Sequence, residues 1–313
     1  MSPRLPAALD RLDLPIIGAP MFIVSGPALV LAQCRAGILG SMPALNGRSS
    51  AQLDEWLAEM TAALAADAEA GVRSAPFAIN LIVHRSNQRL EADLRLVEKY
   101  RVPVVITSLG ARPEVNQAVQ AYGGIVLHDV INDTFARKAV AKGANGLVAV
   151  AAGAGGHAGR LSPFALVQEI RDWFDGPLAL SGAIATGRAV RAARVLGADF
   201  AYVGSAFIAT EEANAVEAYK AAVVAARAED IVYTDAFTGV HGNYLRSSIV
   251  GAGLDPDRLN EREPAMMDFD NEAARRKAWK DIWGSGQGVG VVNQILPAGE
   301  VVARLRREYL ATL

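Results

Sequence analysis

A regular alternation of short apolar runs with amphipathic stretches constrains the fold of this chain more than any other feature. The runs have the length of strands, and each is followed by a stretch with helical periodicity. The eight runs are PIIGA (15–19), GILGSM (37–42), FAINLIV (77–83), VPVVIT (102–107), GIVLHDV (124–130), GLVAVAA (146–152), PLALSG (177–182) and FAYVGS (200–205). Nearly continuous apolar runs are typical of parallel strands that helices cover on both faces. The sequence therefore predicts an α/β fold, a (β/α)₈ TIM barrel.

The alternation ends after Ala228, which suggests a change of architecture there. We expect residues 1–228 to form the barrel and residues 229–313 to form a C-terminal cap segment over the barrel mouth. This segment contains TGVHGNYL, WKDIWGSGQGVGVV and a closing helix, PAGEVVARLRREYL. We expect its closing part to return to the site at the mouth.

The charge and cysteine content exclude several classes of protein. Lys plus Arg total 31 against 33 for Asp plus Glu, with no basic block, so we expect no nucleic-acid partner. The N-terminus lacks the apolar core of a signal peptide, and no later segment has 18 uncharged apolar residues, which predicts a cytoplasmic protein without a membrane segment. The single cysteine, Cys34, excludes an internal disulfide and a Cys-cluster metal site. We expect a small-molecule substrate, no metal, and a monomer or homodimer.

The barrel prediction places an anion site at two turns. Active sites of this fold lie at the C-terminal ends of the strands, and phosphate groups often bind after strands 7 and 8. The segment Ser181-Gly182-Ala183-Ile184 follows the seventh run, and Gly204-Ser205-Ala206 follows the eighth. Backbone N–H groups in such small-residue turns, with a helix N-terminus behind them, bind phosphate. The alternative is that the glycines only permit tight turns.

The stretch AVAAGAGGHAGR (149–160) follows the sixth run and places one histidine among glycines. Gly153, Gly155 and Gly156 let the backbone approach a planar ligand closely, and His157 titrates near neutral pH in an ordinary environment. We therefore predict that His157 is the catalytic base or hydrogen-bond donor. The other histidines also fall near the mouth by position, and for His84 and His241 a place in the substrate pocket competes with a purely structural role.

Several motifs together resemble the nitronate monooxygenase family, formerly called 2-nitropropane dioxygenases. They are GAPM (18–21), INL (79–81), AGGHAG (154–159), SGAIATG (181–187), GSAF (204–207) and WGSGQGVG (283–290). The resemblance extends over nearly the whole chain and implies an FMN-dependent (β/α)₈ barrel with a small additional domain. It also implies that His157 is the catalytic histidine, beside the flavin, and that it takes the proton from the carbon that bears the nitro group.

The resemblance further implies positions for the flavin. Ala19, Pro20 and Met21 would lie along the ring, and Asn80 and His128 would reach its polar edge or the ribityl chain. Residues of the two phosphate turns would hold the phosphate, and the C-terminal segment would close the site; they are Ser181, Gly182, Ala183, Gly204, Ser205, Gln287 and Gly288.

The chain departs from the family pattern in three places. Gly153 stands where many relatives have Glu, Ala183 stands where many have Gly, and GSAF lacks the Arg that relatives often place after the eighth strand. The missing carboxylate affects the expected substrate pocket more than the flavin site.

The resemblance implies an oxidoreductase in which alkyl nitronates pass electrons to FMN and then to O₂, giving a carbonyl compound and nitrite. Two alternatives stay open. One is a reductase that uses NAD(P)H as co-substrate and acts on quinones, enones or enoyl thioesters through the flavin. The other is a barrel that binds a phosphorylated ligand without redox chemistry.

Overall fold

Eight parallel strands form the barrel that the sequence predicts. The computed structural model describes residues 5–259 and 281–313. The barrel strands are β1 (Ile16–Gly18), β2 (Gly40–Pro43), β3 (Phe77–Ile82), β4 (Val104–Ser108), β5 (Ile125–Val130), β6 (Gly146–Val150), β8 (Leu178–Ser181) and β9 (Phe200–Val203). They pair in the order β1-β9-β8-β6-β5-β4-β3-β2, and a parallel bridge between Ile17 and Leu39 joins the two ends. The predicted TIM barrel is therefore confirmed.

Most of the helices cover the outside of the barrel, but Leu9 of the first helix packs into the inner core, and the helix Arg246–Gly251 packs on the strand Gly242–Leu245. The helices are α1 (Ala7–Asp10), α2 (Pro27–Arg35), α3 (Ser50–Glu69), α4 (Leu90–Lys99), α5 (Pro113–Ala121), α6 (Asp133–Ala141), α7 (Pro163–Arg171), α8 (Gly187–Leu196), α9 (Ser205–Ile208), α10 (Glu217–Ala225), α11 (Arg246–Gly251) and α12 (Ala298–Leu310), with 3₁₀ turns at Ala44–Asn46, Ala228–Asp230 and Gln287–Val291. Local signals start several of them: the side chains of Ser49, Asn132 and Thr186 accept N-cap hydrogen bonds. None of the described helices is both long and apolar enough to span a membrane.

The two faces of each barrel strand pack into different cores. In β5, Ile125 and Leu127 belong to the cluster inside the barrel, whereas Val126 and Val130 belong to the clusters between strands and helices. Because side chains alternate along a strand, Asp129 shares the inner face and His128 shares the outer one. This alternation decides which side chains reach the barrel axis.

A small antiparallel sheet stands beside the barrel mouth. It consists of β7 (Gly156–His157), β10 (Ile231–Thr234) and β11 (Gly242–Leu245), in the order β10-β11-β7. The sheet joins the glycine-rich loop after β6 to the segment that follows the barrel, since Gly242 pairs with His157.

The closing helix lies on the barrel wall. Helix α12 packs against α8 and α2, and its Val301, Val302 and Leu305 are buried in the outer core. The helix that directly follows β9 has only four residues, so it leaves this part of the wall for α12 to cover. The division of the chain at residue 228 stays a prediction, and residues 260–280 of the expected cap lie outside the described part.

Candidate active site

A cavity of about 780 Å³ opens at the C-terminal ends of the barrel strands. This volume lies within the range of roughly 300–1,000 Å³ that is typical of ligand and cofactor sites. Most of the residues that the sequence nominated line it: Ala19, Pro20, Met21, Asn80, His84, His128, Gly153, Gly155, Gly156, His157, Ser181, Gly182, Ala183, Gly204, Ser205 and Gly288. The fold therefore brings together residues from nearly every strand end.

Two nominated residues do not line this cavity. The side chain of His241 is 54% exposed, lies 3.8 Å from the Asp235 carboxylate and packs against the ring of Tyr233. This position lies outside the cavity lining, and a place of His241 in the substrate pocket stays a prediction. Gln287 is exposed, but its backbone N–H donates to the Gly153 carbonyl at 2.9 Å. Gln287 thus supports the cavity wall from behind.

Glycine is required at two points of the wall. Gly182 has a φ of +143°, and a Cβ there would lie 2.7 Å from the Ala152 carbonyl oxygen. Gly153 has a φ of +82°, and a Cβ there would lie 2.9 Å from Oε1 of Gln287. A left-handed backbone is unfavourable for other residues. The space near Gly153, where many relatives carry Glu, is therefore occupied here by the Gln287 side chain.

The two predicted phosphate turns differ in the donors that they offer. At the turn after β8, the Ala183 N–H donates to the Gly153 carbonyl at 3.2 Å, and the Gly187 N–H at the start of α8 donates to the Glu308 carboxylate at 2.7 Å. These two N–H groups are engaged within the protein, and Glu308 places a negative charge at the α8 terminus. At the turn after β9, the Ser205 hydroxyl oxygen accepts from the Gly286 N–H at 2.8 Å. Its hydroxyl proton stays available for an anion.

His157 is held at the cavity by the small sheet. Its Nε2 lies 3.0 Å from Oγ1 of Thr238, and Thr238 in turn donates its proton to the Val240 carbonyl at 3.0 Å. A Thr238 proton directed at that carbonyl favours the tautomer with the ring proton on Nε2 and the lone pair on Nδ1. Burial lowers the pKa of His157 to about 4. The ring is therefore neutral at pH 7.

His128 lies on the outer face of β5, in a lobe of the cavity beside α6. Its Nδ1 is 2.6 Å from Oγ1 of Thr107, and burial together with the nearby Lys142 lowers its pKa to about 4. The neighbouring Asp129 is the residue of this strand that faces the barrel interior. His128 therefore reaches the cavity from the outer face of β5, and its contact with the flavin edge or the ribityl chain stays a prediction. His84 lines the mouth, with its Nδ1 2.8 Å from Oγ of Ser86.

Sequence reasoning missed a polar cluster on the cavity floor. Ser108 donates to Oδ2 of Asp129 at 2.5 Å, and the side chain of Tyr202 also lies in the barrel interior and lines the cavity. Burial raises the pKa of Asp129 to about 7, and burial together with the Asp129 charge raises the pKa of Tyr202. The available signal was the position of these residues at or near the ends of three apolar runs: Ser108 follows VPVVIT, Asp129 is in GIVLHDV and Tyr202 is in FAYVGS.

The C-terminal segment 283–288 also borders the cavity. The ring of Trp283 stacks on Tyr219 with centroids 5.1 Å apart, and the Tyr219 hydroxyl donates to the Gly284 carbonyl. Ser285 is fully buried, and its N–H donates to the Asn243 carbonyl at 3.1 Å. This segment therefore depends on contacts with both α10 and the small sheet.

The residues present fit an FMN. The wall at Gly153 and Gly182 presents backbone to a planar ring, and Ser205 offers a hydroxyl for the phosphate. On the floor, Oδ1 of Asp129 and the hydroxyl of Tyr202 are buried without a hydrogen-bond partner in the described structure. Such groups are costly unless a ligand satisfies them. A flavin has both a planar ring and a polar edge.

Comparison with known proteins identifies relatives of the whole chain. Residues 84–308 match the sequence model of a family described as nitronate monooxygenase. A nitronate monooxygenase of Paraburkholderia phytofirmans is 30% identical over 95% of this chain and 92% of its own length. Another, from Pseudomonas aeruginosa, is 30% identical over 72% of this chain and 74% of its own length. A solved nitroalkane oxidase from Streptomyces ansochromogenes has a TM-score of 0.79 at 25% identity, over 97% of this chain and 98% of its own.

Proposed function

The chain belongs to the nitronate monooxygenase family and is a flavin-dependent oxidoreductase, and from this premise we propose that it binds FMN and oxidises alkyl nitronates with O₂. The products are a carbonyl compound and nitrite; two nitronates and one O₂ give two of each, which balances atoms and charge. When bound, FMN supplies the electron transfer between nitronate and O₂. The position of His157 at the cavity carries this proposal, because it places a proton acceptor beside the wall that fits the ring.

His157 handles the proton through Nδ1. Burial alone accounts for the lowered pKa of this ring, with no charged neighbour contributing. A nitronate is an anion, and a negative charge beside a neutral imidazole favours its protonated form. Binding of a nitronate therefore draws a proton onto Nδ1, and the resulting imidazolium pairs with the anion. For a neutral nitroalkane, the same nitrogen accepts the proton from the carbon and reaches the same ion pair.

The surroundings of His157 maintain this role. Thr238 is buried and holds Nε2 of His157 at 3.0 Å. The small sheet fixes the backbone, because the Ala158 N–H donates to the His241 carbonyl at 3.1 Å and the Tyr233 hydroxyl donates to the Ala158 carbonyl at 3.0 Å. These contacts orient the imidazole before substrate binds, which reduces the cost of reaching the reactive geometry.

The proposal is tested by measuring O₂ consumption and nitrite release by the purified protein with a nitronate and with the matching nitroalkane. His157→Asn should lower kcat/KM for the nitroalkane by about 10²–10⁴-fold, as expected for loss of a general base. The nitronate, already ionised, should lose less. His241→Asn, on the exposed side of the small sheet, serves as the matched control and should retain wild-type rates with both.

Two results would contradict the proposal. A yellow protein that leaves nitronates untouched in air, while NADH or NADPH bleaches it under anaerobic conditions, would be a reductase. A colourless protein that binds no FMN would point to a phosphorylated ligand without redox chemistry. Both outcomes separate the proposal from the alternatives raised by the sequence.

A further inference from the structure

Asn80, Ser108 and Asp129 form a directed hydrogen-bond chain on the cavity floor. The Asn80 side-chain amide donates to the Ile106 carbonyl at 3.0 Å and to Oγ of Ser108 at 2.8 Å. Because the Ser108 oxygen already accepts this bond, its own proton is directed to Oδ2 of Asp129, at 2.5 Å. The direction of each bond in the chain is thus fixed by the one before it.

Two buried polar atoms at the floor, one of them on the last residue of this hydrogen-bond chain, have no protein partner among the described residues. Oδ1 of Asp129 and the hydroxyl oxygen of Tyr202 are buried and without a partner in the described structure, and both residues line the cavity. Tyr202 itself is 7% exposed. Buried polar atoms in native proteins nearly always have a partner, so two such atoms at one cavity floor indicate a ligand that supplies one.

The chemistry of the two atoms selects the kind of ligand. As a carboxylate, Asp129 offers only acceptor positions, whereas the Tyr202 hydroxyl can donate. The oxygens of an alkyl nitronate are acceptors and carry negative charge, so a nitronate does not complement Asp129. The pyrimidine edge of a flavin carries an imide N–H between two carbonyl oxygens. That edge complements an acceptor next to a donor.

We propose that Asp129 and Tyr202 bind the pyrimidine edge of the flavin, with Oδ1 of Asp129 accepting from the imide N–H and Tyr202 donating to an adjacent carbonyl oxygen. This inference rests on the FMN proposal above. The strand order puts Asn80 of β3 and Ser108 of β4 opposite the phosphate turns after β8 and β9, with Asp129 on the neighbouring β5. Tyr202 comes from β9, and its side chain lies in the barrel interior, within range of the Asp129 charge. A ring that extends from the phosphate turns across the mouth passes over both side chains.

The directed chain makes Asp129→Asn a sharp test. The Ser108 proton needs an acceptor, so the new amide carbonyl turns toward Ser108 and the amide NH₂ faces the cavity. An acceptor is thereby replaced by a donor of almost the same size, and this donor meets the imide N–H. The variant should lose its preference for a ligand with an N–H at this position, although the fold is retained.

The experiment compares FMN with 3-methyl-FMN, in which a methyl group replaces the imide hydrogen. Dissociation constants are measured by fluorescence titration of flavin-free protein at pH 8.5, where Asp129 is a carboxylate, and the visible absorption band of each complex is recorded. Wild type should bind FMN at least about tenfold more tightly than 3-methyl-FMN, the size expected for one hydrogen bond to a charged group. In Asp129→Asn this ratio should fall to about one or below.

Two further variants complete the test. Tyr202→Phe removes only the donated hydrogen bond and should weaken both flavins equally, by about two- to tenfold. Asp175→Asn, at an exposed position after α7, is the matched control and should keep the wild-type ratio.

The outcomes separate this inference from the cofactor proposal. If wild type binds no FMN, the cofactor proposal is wrong and the inference falls with it. If wild type binds FMN but does not discriminate against 3-methyl-FMN, or if Asp129→Asn keeps the wild-type ratio, the inference alone is overturned. An equal loss of both flavins in Asp129→Asn would assign Asp129 a structural role only and would also overturn it.

Discussion

The pH dependence of stability should reveal the buried state of His157. Burial lowers its pKa to about 4, whereas an unfolded chain has the ordinary histidine value of about 6.5. The unfolded state therefore binds more protons than the folded state between these values. The stabilisation is fully present above pH 6.5 and is lost as the pH falls toward 4.

The size of the effect follows from the two pKa values. At pH 5, a pKa of about 6.5 in the unfolded state and about 4 in the folded state gives a loss of about 2 kcal/mol relative to pH 8. Two other groups also change the stability of the whole protein over this pH range. His128, with a pKa also lowered to about 4, adds a loss of the same sign. Asp129 has the opposite effect: its pKa is raised to about 7, so the free energy of unfolding rises as the pH falls from about 7 to 3.8.

A comparison of variants isolates the contribution of His157. The free energy of unfolding is measured by urea titration with circular dichroism for wild type and His157→Asn, at pH 8 and at pH 5. Packing losses in the variant enter at both pH values and cancel. Between pH 8 and pH 5, wild type should therefore lose about 2 kcal/mol more than His157→Asn.

A variant that changes no titratable group provides the control for this measurement. Gly251→Ala, with open space around its Cβ, should show the same loss between the two pH values as wild type. If His157→Asn also follows wild type within about 0.5 kcal/mol, the imidazole is not held neutral by burial. His157 would then not be a neutral proton acceptor at pH 7, and its proposed role would lose its basis.

Three further predictions concern the cavity. Between pH 7 and 9, kcat/KM for a nitronate should fall about tenfold per pH unit, because binding takes up one proton at His157. His157→Asn should abolish this slope, and an equal slope in the variant would contradict the proton uptake. Gly182→Val should fold but bind no FMN, because its Cβ would lie 2.7 Å from a backbone oxygen at a φ of +143°. Circular dichroism measures the fold and flavin absorbance measures the bound FMN, with Gly251→Val, which has open space around its Cβ, as the control. Normal flavin content in Gly182→Val would refute the assignment of this turn to the FMN site. Tyr219→Phe loses the hydrogen bond to the Gly284 carbonyl and should increase the rate of FMN dissociation about two- to tenfold, measured by a stopped-flow chase. An unchanged dissociation rate would show that segment 283–288 does not retain the flavin.

Local patterns in the sequence predict the barrel and the general place of its site. The eight apolar runs specify buried parallel strands, and the parallel strands place the loops around His157 and Gly182 at one end of the barrel. Helix starts such as Ser49 and Thr186 are also readable, because an N-cap bond joins residues three apart in sequence.

The sequence did not indicate which side chains of a strand point into the barrel, and only the tertiary structure showed it. The run GIVLHDV is apolar on both faces, so no contrast between a wet and a dry face indicates whether His128 or Asp129 points to the barrel axis. The packing of Leu127 inside the barrel and of Val126 outside it decides the matter. The family resemblance indicated the histidine, and the sequence reasoning missed the carboxylate.

Contacts between distant parts of the chain were decided only by tertiary structure. The helix α12 covers the wall beside α8 because α9 is too short to do so, and Glu308 of α12 then bonds the Gly187 N–H across 121 positions of sequence. The Thr238 hydroxyl meets the His157 ring across 81 positions. The sequence by itself determined the strands, the barrel and the histidine loop, because these follow from local periodicity and short-range turn chemistry. The partners that set the protonation of His157 and the donors left for a phosphate depend on which distant surfaces pack together, and that is decided by the minimum free energy of the whole fold.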